Sequence, residues 1–398
     1  MLSLLPDTSL LRRFWPPAGF VPLAWRNLLA NKPRLLRSSG GIGFAVLLML
    51  MQLGFERAFF NASLEIIHRL DGDIFLQSAS KYRFATRDPF PRSELDAARA
   101  VSGVASAWPF YADWFDVFWK NPFDGKTFLV RVFAFDPDHP VLRLPEVEGR
   151  LAQLGDPDTA AVDRHARRFL GMGMGAAQSE LNGLTVRIVG SFWIGPDFES
   201  DGTVVVGDRT FAKLLAAPGG GPPGVEAGVI KLRADSDPAA VQRALRAALP
   251  PEIAVLTKEQ LLELERKFQA DVSSAGPIFA MGTLVGFVVG MLIAYQIIYT
   301  DLTEQLPQFA TMKAIGYRTG YLIGVVLEQG ALTALAGWIP AWFLSILLYR
   351  VVGEVALLPL RMTAELSLIS LGLTLGMCLI SAILAVRRVI AADPAEVF

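Results

Sequence analysis

From Gly276 to Thr300 the chain reads GPIFAMGTLVGFVVGMLIAYQIIYT, 25 residues without one charged side chain. Wound as an α-helix this run is about 37 Å long, more than the hydrocarbon thickness of a bilayer, so 276–300 reads as a membrane span. Three more runs have the same character. GGIGFAVLLMLMQLGF, Gly40 to Phe55, reaches 38–58 when Ser38, Ser39 and Glu56 sit at the interfaces; the other two cover 319–349 and 366–386. Gly337 and Pro340 lie within 319–349, where the missing amide and the ring clash predict a kink or an end. The composition agrees, since 52% hydrophobic and 19% charged residues are too apolar for an ordinary soluble chain of 398 residues. About forty residues precede the first run and no small-residue cleavage pattern follows it, so it reads as an uncleaved anchor rather than a signal peptide.

Lysine and arginine in the short flanks set the expected orientation. Arg12, Arg13, Arg26, Lys32, Arg34 and Arg37 precede the first span, Lys313 and Arg318 lie between the second and third, and Arg387 and Arg388 follow the last. The short 350–365 connection carries Arg350 and Arg361. Both termini, 1–37 and 387–398, and the 301–318 loop are therefore expected in the cytoplasm of a multi-pass protein of the bacterial inner membrane. Residues 59–275 fall on the outer face, the periplasm where an outer membrane exists. A net charge of −1 gives no general attraction to nucleic acid, and none is expected as a partner; membrane lipid is.

The whole reads as an α-helical membrane protein with four transmembrane helices and a large mixed α+β periplasmic domain inserted between helices 1 and 2. In the 1–37 segment, Trp25, Leu28 and Leu29 share one helical side, with Arg26, Asn27 and Lys32 around them, which suits a helix lying in the interface. Within 59–256, strand-like runs at 73–77, 127–135, 184–192, 203–206 and 228–232 alternate with helical patterns at 92–100 and 238–249. GVIKLR, DPAAVQRALRAALP and IAVLT form a β-α-β unit, with Asp237 as N-cap, Pro238 in the first turn and Ala239, Val241, Leu245 and Leu249 set for packing. The APGGGPPG cluster from Ala217 to Gly224 marks the end of an inserted subdomain of about 141–224. Thr257 and Gln260 have capping-box spacing, and 257–275 reads as a stalk helix running into the second span.

Candidate chemistry is thin. DGKT at 124–127 has Lys120 where a phosphate-binding loop needs glycine, and GMGMG at 171–175 lacks dinucleotide-binding spacing. His68, His139 and His165 have no i, i+4 partner or cysteine cluster, so neither a metal site nor a catalytic constellation is expected. The lone Cys378 reads as a small apolar residue of the last span. In WPFYADWFDVFW, Trp108 to Trp119, strict alternation puts Trp114, Asp116 and Phe118 on one face and Phe115, Val117 and Trp119 on the other, as in a sandwiched strand. An exposed aromatic surface for lipid or protein is the alternative. Glu328, inside the third span, is expected to face protein or water.

The layout resembles the FtsX/MacB-type permease family of ABC transporters. QFATMKAIGYRTGYL, Gln308 to Leu322, is similar to that family's cytoplasmic segment, and RRVIAADPAEVF, with Asp393, Pro394, Ala395 and Glu396, to its closing motif. LAWRNLLANKPRLLRSSGGIGFAVLLMLMQLGF, VDRHARRFLG and FWIGPDFESDGTVVVGDRTF resemble the DevC branch, with Gly195-Pro196-Asp197 where that branch usually has Gly-Thr-Ser. The resemblance implies a non-catalytic permease homodimer docked on a separate ABC ATPase dimer, which holds the ATP and Mg; this chain needs no cofactor. It also implies a periplasmic membrane-fusion adaptor and a TolC-like outer-membrane channel. Movement of the 301–318 coupling loop would pass along the stalk to the outer domain and drive efflux. Gln308, Phe309, Met312, Lys313, Ile315, Gly316 and Tyr317 are the expected ATPase-coupling residues, with Phe309, Met312 and Ile315 as an apolar ridge for a partner's groove. The alternative is an FtsX- or LolC-like subunit that transmits force for lipoprotein extraction or for control of a periplasmic enzyme.

Overall fold

The computed structural model describes residues 32–144, 147, 150–215, 223–273 and 275–391. The expected interfacial helix at Trp25, Arg26, Asn27 and Leu28 and the closing motif at Asp393, Pro394, Ala395 and Glu396 lie outside the described residues. The chain divides into two compact units, one holding 57–277 and 352–359, the other the residues up to 56, 278–351 and 360 onward.

The first unit is a mixed domain built around β2 (Val104–Lys120). The first half of β2 pairs antiparallel with β8 (Ala227–Leu232), and β1 (Ile74–Ser78) then lies between β8 and β9 (Ile253–Thr257). Both β8 and β9 are antiparallel to β1, so the β-α-β unit is a split one, with β1 between its two parallel strands. The second half of β2 pairs with β3 (Thr127–Phe135) and, at its end, with β5 (Gln178–Leu181). From β3 the pairing continues through β7 (Thr203–Gly207), β4 (Thr159–Asp163) and β6 (Leu184–Phe192) to β5, so six of the nine strands close a ring. Closure satisfies the backbone groups that an open sheet leaves at its edges. The ring draws on β2 and β3, so it begins well before the expected subdomain limit near 141.

Helices cover both faces. On one, α2 (Ser93–Arg99) and α4 (Pro238–Ala248) bury Leu95, Ala98, Val241 and Leu245 with Trp119 and Val132. On the other, the end of α1 (Lys32–Arg69) and α5 (Lys258–Lys267) bury Ile67, Leu261 and Leu262 with Phe110 and Phe133. Asp237 caps α4 by accepting from Ala239 N and Ala240 N, both at 3.2 Å, but Ala239 itself is exposed because it lies in the first turn beyond the sheet. Asp237→Ala should lower the domain's unfolding free energy by about 1 kcal/mol in a urea titration followed by tryptophan fluorescence.

The aromatic stretch departs from strict alternation. Asp113 faces Val132 and Val117 faces Val130, so four residue steps on β2 oppose two on β3. The extra residues bulge, closed by Asp113 Oδ1 accepting from Asp116 N at 2.9 Å. Trp114, Val117 and Trp119 are consequently buried while Phe115, Asp116 and Phe118 are exposed, and the sandwiched strand is confined to the part before the bulge. The stalk also departs from a straight helix. The capping box at Thr257 and Gln260 starts α5, but one π-helical turn, Phe268–Val272, follows and Ser273 is extended. The chain folds back so closely that a Cβ on Gly276 would stand 2.7 Å from the carbonyl oxygen of Gln269.

The second unit holds most of each helix long and apolar enough to cross a membrane: α1, α6 (Ala275–Ala314), α7 (Thr319–Ala356) and α8 (Ala364–Ala391). α1 is longer than the expected 38–58, and α7 continues through Pro340 instead of ending there. Where Gly43 meets Gly337, a Cβ on either would come within 3.2 Å of the other's backbone, so glycine sets the approach of α1 to α7. Side-chain bonds tie the helices: Trp338 Nε1 donates to Ser370 Oγ at 3.1 Å, Trp342 Nε1 to Ser367 Oγ at 2.9 Å and Ser381 Oγ to the Met291 carbonyl at 2.7 Å. Cys378 is buried in α8.

Candidate coupling site

The polar segment after Thr300 is helix rather than loop for most of its length, because α6 continues to Ala314 through Pro307. Its apolar side chains explain this. Leu302, Leu306, Phe309 and Met312 recur at spacings of three and four, which makes one helical stripe. That stripe packs inside the bundle: Phe309 is buried with Leu302, Val326, Ala382 and Ala385, and Met312 packs against the same cluster. The expected ridge for a partner is therefore split, since Phe309 and Met312 serve their own fold and Ile315 alone of the three is well exposed, at 73%. Asp301 and Gln305, one turn apart beside this stripe, are buried with it.

α6 ends in a tight cap. Gly316 has φ +104°, a left-handed conformation that disfavours a side chain, and lets Tyr317 N donate to the Met312 carbonyl and Gly316 N to the Lys313 carbonyl, both at 3.1 Å. The chain then reverses into α7, whose start is marked by Tyr321 N donating to the Arg318 carbonyl at 2.9 Å. The Tyr317 and Tyr321 rings lie 5.2 Å apart. Of the expected coupling residues, Gln308, Lys313, Ile315, Gly316 and Tyr317 are exposed, and the last four form the end of the hairpin. Its surface can present an apolar knob, a phenol and the cations Lys313 and Arg318. Glu328 is exposed as well, on α7 beside the buried Gln329. It lies next to Val326 and Leu327, which pack with Phe309, so it stands level with the polar end of α6 rather than deep among apolar turns.

In the mixed domain the sequence reading did not foresee two ion pairs, one partly buried and one fully buried. Arg131 bonds Asp197 and donates to Thr203 Oγ1 from Nε at 3.0 Å and from Nη2 at 2.9 Å. Asp197 Oδ1 also accepts from Glu199 N and Ser200 N, so Asp197 organises its own loop. Beside it, Asp163 accepts from Gly195 N at 2.7 Å and His165 N at 2.9 Å, while burial pushes its carboxyl above the usual range. The second pair is Lys81 with Glu226. No local sequence pattern links either pair. Among the described residues no group of three His, Cys, Asp or Glu side chains is placed to hold a metal.

Residues 279–394 match the family of the FtsX-like permease C-terminal domain, a stretch that takes in nearly all of α6, the turn, α7 and α8. No curated protein matches the chain. Among solved structures it is similar to the periplasmic region of MacB from Actinobacillus actinomycetemcomitans, at 12% identity over 50% of this chain and 96% of that one, with a TM-score of 0.35. It is also similar to the extracellular domain of the noncanonic ABC-type transporter YknZ from Gram-positive bacteria, at 10% identity over 47% and 99% of the two chains, with a TM-score of 0.31.

Proposed function

We propose that this chain, with its FtsX-like permease domain, is the non-catalytic membrane subunit of an ABC-type export system in the bacterial inner membrane, with both termini cytoplasmic. It works as a homodimer on a separate ATPase dimer that binds ATP and Mg, and it hands motion to a periplasmic domain engaged with an adaptor and a TolC-like channel. The match over residues 279–394 supports the permease reading, and the exposed hairpin end at Ile315 is the observation that carries the coupling. Because this end joins α6 directly to α7, a push on Tyr317 or Ile315 is delivered to both helices. Four helices poor in polar groups offer little to a hydrophilic cargo, so the work is done outside the bilayer.

The test is a charge at the knob. Ile315→Glu should reduce the co-purified cognate ATPase by about tenfold or more, as expected when an apolar residue that docks into a partner's groove becomes a charge, with membrane insertion unchanged by protease accessibility. Undiminished co-purification would refute coupling through this hairpin. A charge at Phe309 is the wrong probe, since it would disrupt the bundle itself.

A further inference from the structure

The mixed domain adjoins the apolar helices at three places in the chain. Phe59 directly follows the expected 38–58 span, Phe268–Val272 lies just before the 276–300 span, and 352–359 belongs to the short connection between the last two spans. One loop, 193–199, touches two of these places and is bonded to the third. The Phe198 ring lies 4.9 Å from that of Phe59, edge to face. A Cβ on Gly195 would stand 3.8 Å from the Leu357 carbonyl oxygen. Glu199 accepts from Arg83 Nη1 at 2.6 Å, and the Arg83 guanidinium lies over the rings of Phe268, at 5.1 Å, and Phe115, at 5.7 Å. The Tyr82 ring is 5.4 Å from Phe268.

Where a chain passes between a span and an outer domain, it stands at the headgroup layer of the bilayer. A loop in contact with two such crossings and tied by Arg83 to the third stands at that level too. What the loop and its neighbours expose there is aromatic: Trp193 at 47%, Phe198 at 48%, Tyr82 at 56% and Phe115 at 43%. Trp193 is held in place by His165, whose ring stacks on it at 4.5 Å and 19°. Exposed rings grouped in this way mark an interaction surface, and at the headgroup level a tryptophan or tyrosine ring buries its apolar body while its polar tip stays wet. We propose that the 193–199 loop, with Tyr82 and Phe115, is an interfacial anchor that seats the mixed domain on the lipid headgroups, with Trp193 and Phe198 entering the leaflet. The proposal rests on the reading of the four apolar helices as spans, and is independent of the coupling hairpin and of an ATPase.

The test is lipid contact measured on the full chain. Cys378 is the single cysteine of the sequence and is buried, so one introduced cysteine can carry a thiol-reactive nitrobenzoxadiazole fluorophore. Trp193→Cys and Phe198→Cys are labelled and placed separately in phosphatidylcholine nanodiscs, with and without lipid that carries a nitroxide high on its acyl chain. Both labels should lose about half or more of their emission to the nitroxide, as befits side chains at the headgroup level. Ala247→Cys, exposed on α4 over the opposite sheet face, should keep nearly all of it. Leu284→Cys, exposed on α6 within the 276–300 span, reports on the spans themselves. Quenching at 284 with none beyond the level of 247 at 193 and 198 would overturn the anchor and leave the spans standing; this is also the result for a surface that serves a partner protein, since the purified chain meets none. No quenching at 284 would overturn both. Should one of the two loop variants fail to fold, the other decides.

Discussion

Lys81→Met is expected to destabilise the mixed domain by about 4 kcal/mol, the usual cost of leaving a buried charge without its partner. The Lys81 side chain is fully buried and that of Glu226 is 3% exposed. Lys81 Nζ donates to the Glu226 carboxylate and, at 2.9 Å, to its main-chain carbonyl. Burial pushes the lysine down and the glutamate up, each toward its neutral form, and the attraction between them is what opposes this. Removing the lysine leaves Glu226 to take up a proton or draw in water, and either response costs stability. The double variant Lys81→Met/Glu226→Leu should recover most of the loss, because the desolvation of both charges disappears along with their attraction. Thermal unfolding in detergent, followed by tryptophan fluorescence, measures both. A double variant no more stable than Lys81→Met would show that the pair is not coupled.

Gly207→Ala is expected to cost about 3 kcal/mol, at the upper end for overpacking, because the new methyl group meets backbone rather than a movable side chain. Gly207 ends β7, pairs with Phe135 on β3 and leads into α3 (Asp208–Leu214). A Cβ there would overlap the carbonyl oxygen of Leu154 and stand 3.2 Å from its carbonyl carbon. Leu154 is itself 1% exposed, so the turn that carries it cannot move outward without opening the core beneath the ring. Gly183→Ala is the matching control, since no atom lies within 4 Å of a Cβ there, although its φ of +81° adds a local backbone strain of its own. The larger fall in unfolding temperature should belong to Gly207→Ala; the reverse order would show that the Leu154 turn yields.

The residues show how far local pattern reaches. Asp237 and Thr257 were legible as caps because a cap is decided within three or four residues, and both accept the backbone bonds their spacing implies. The polar break at 301–318 was legible as an interruption between two apolar runs but not in form. Its charges and amides suggested a loop, whereas the spacing of Leu302, Leu306, Phe309 and Met312 already described a helix with one apolar side. What that side packs against depends on α7 and α8, so Phe309 looked free to serve a partner until Val326 and Ala382 were seen to cover it. The 108–119 stretch misled for a related reason, since alternation assumes an unbroken ladder and the bulge after Asp113 depends on the partner strand.

The sequence by itself determined the apolar helices, the strand and helix content of the mixed domain and the caps that start α4 and α5. All of these follow from side chains adjacent in the chain or one turn apart. Only the tertiary structure decided that β2 pairs with β8 along one half and with β3 along the other, that six strands close a ring and that β1 separates β8 from β9. It also decided the pairing of Lys81 with Glu226, 145 residues away, and of Arg131 with Asp197, 66 residues away. Such partners are chosen when distant segments are brought together and buried, where each charge and backbone group must find whatever counterpart the packing supplies.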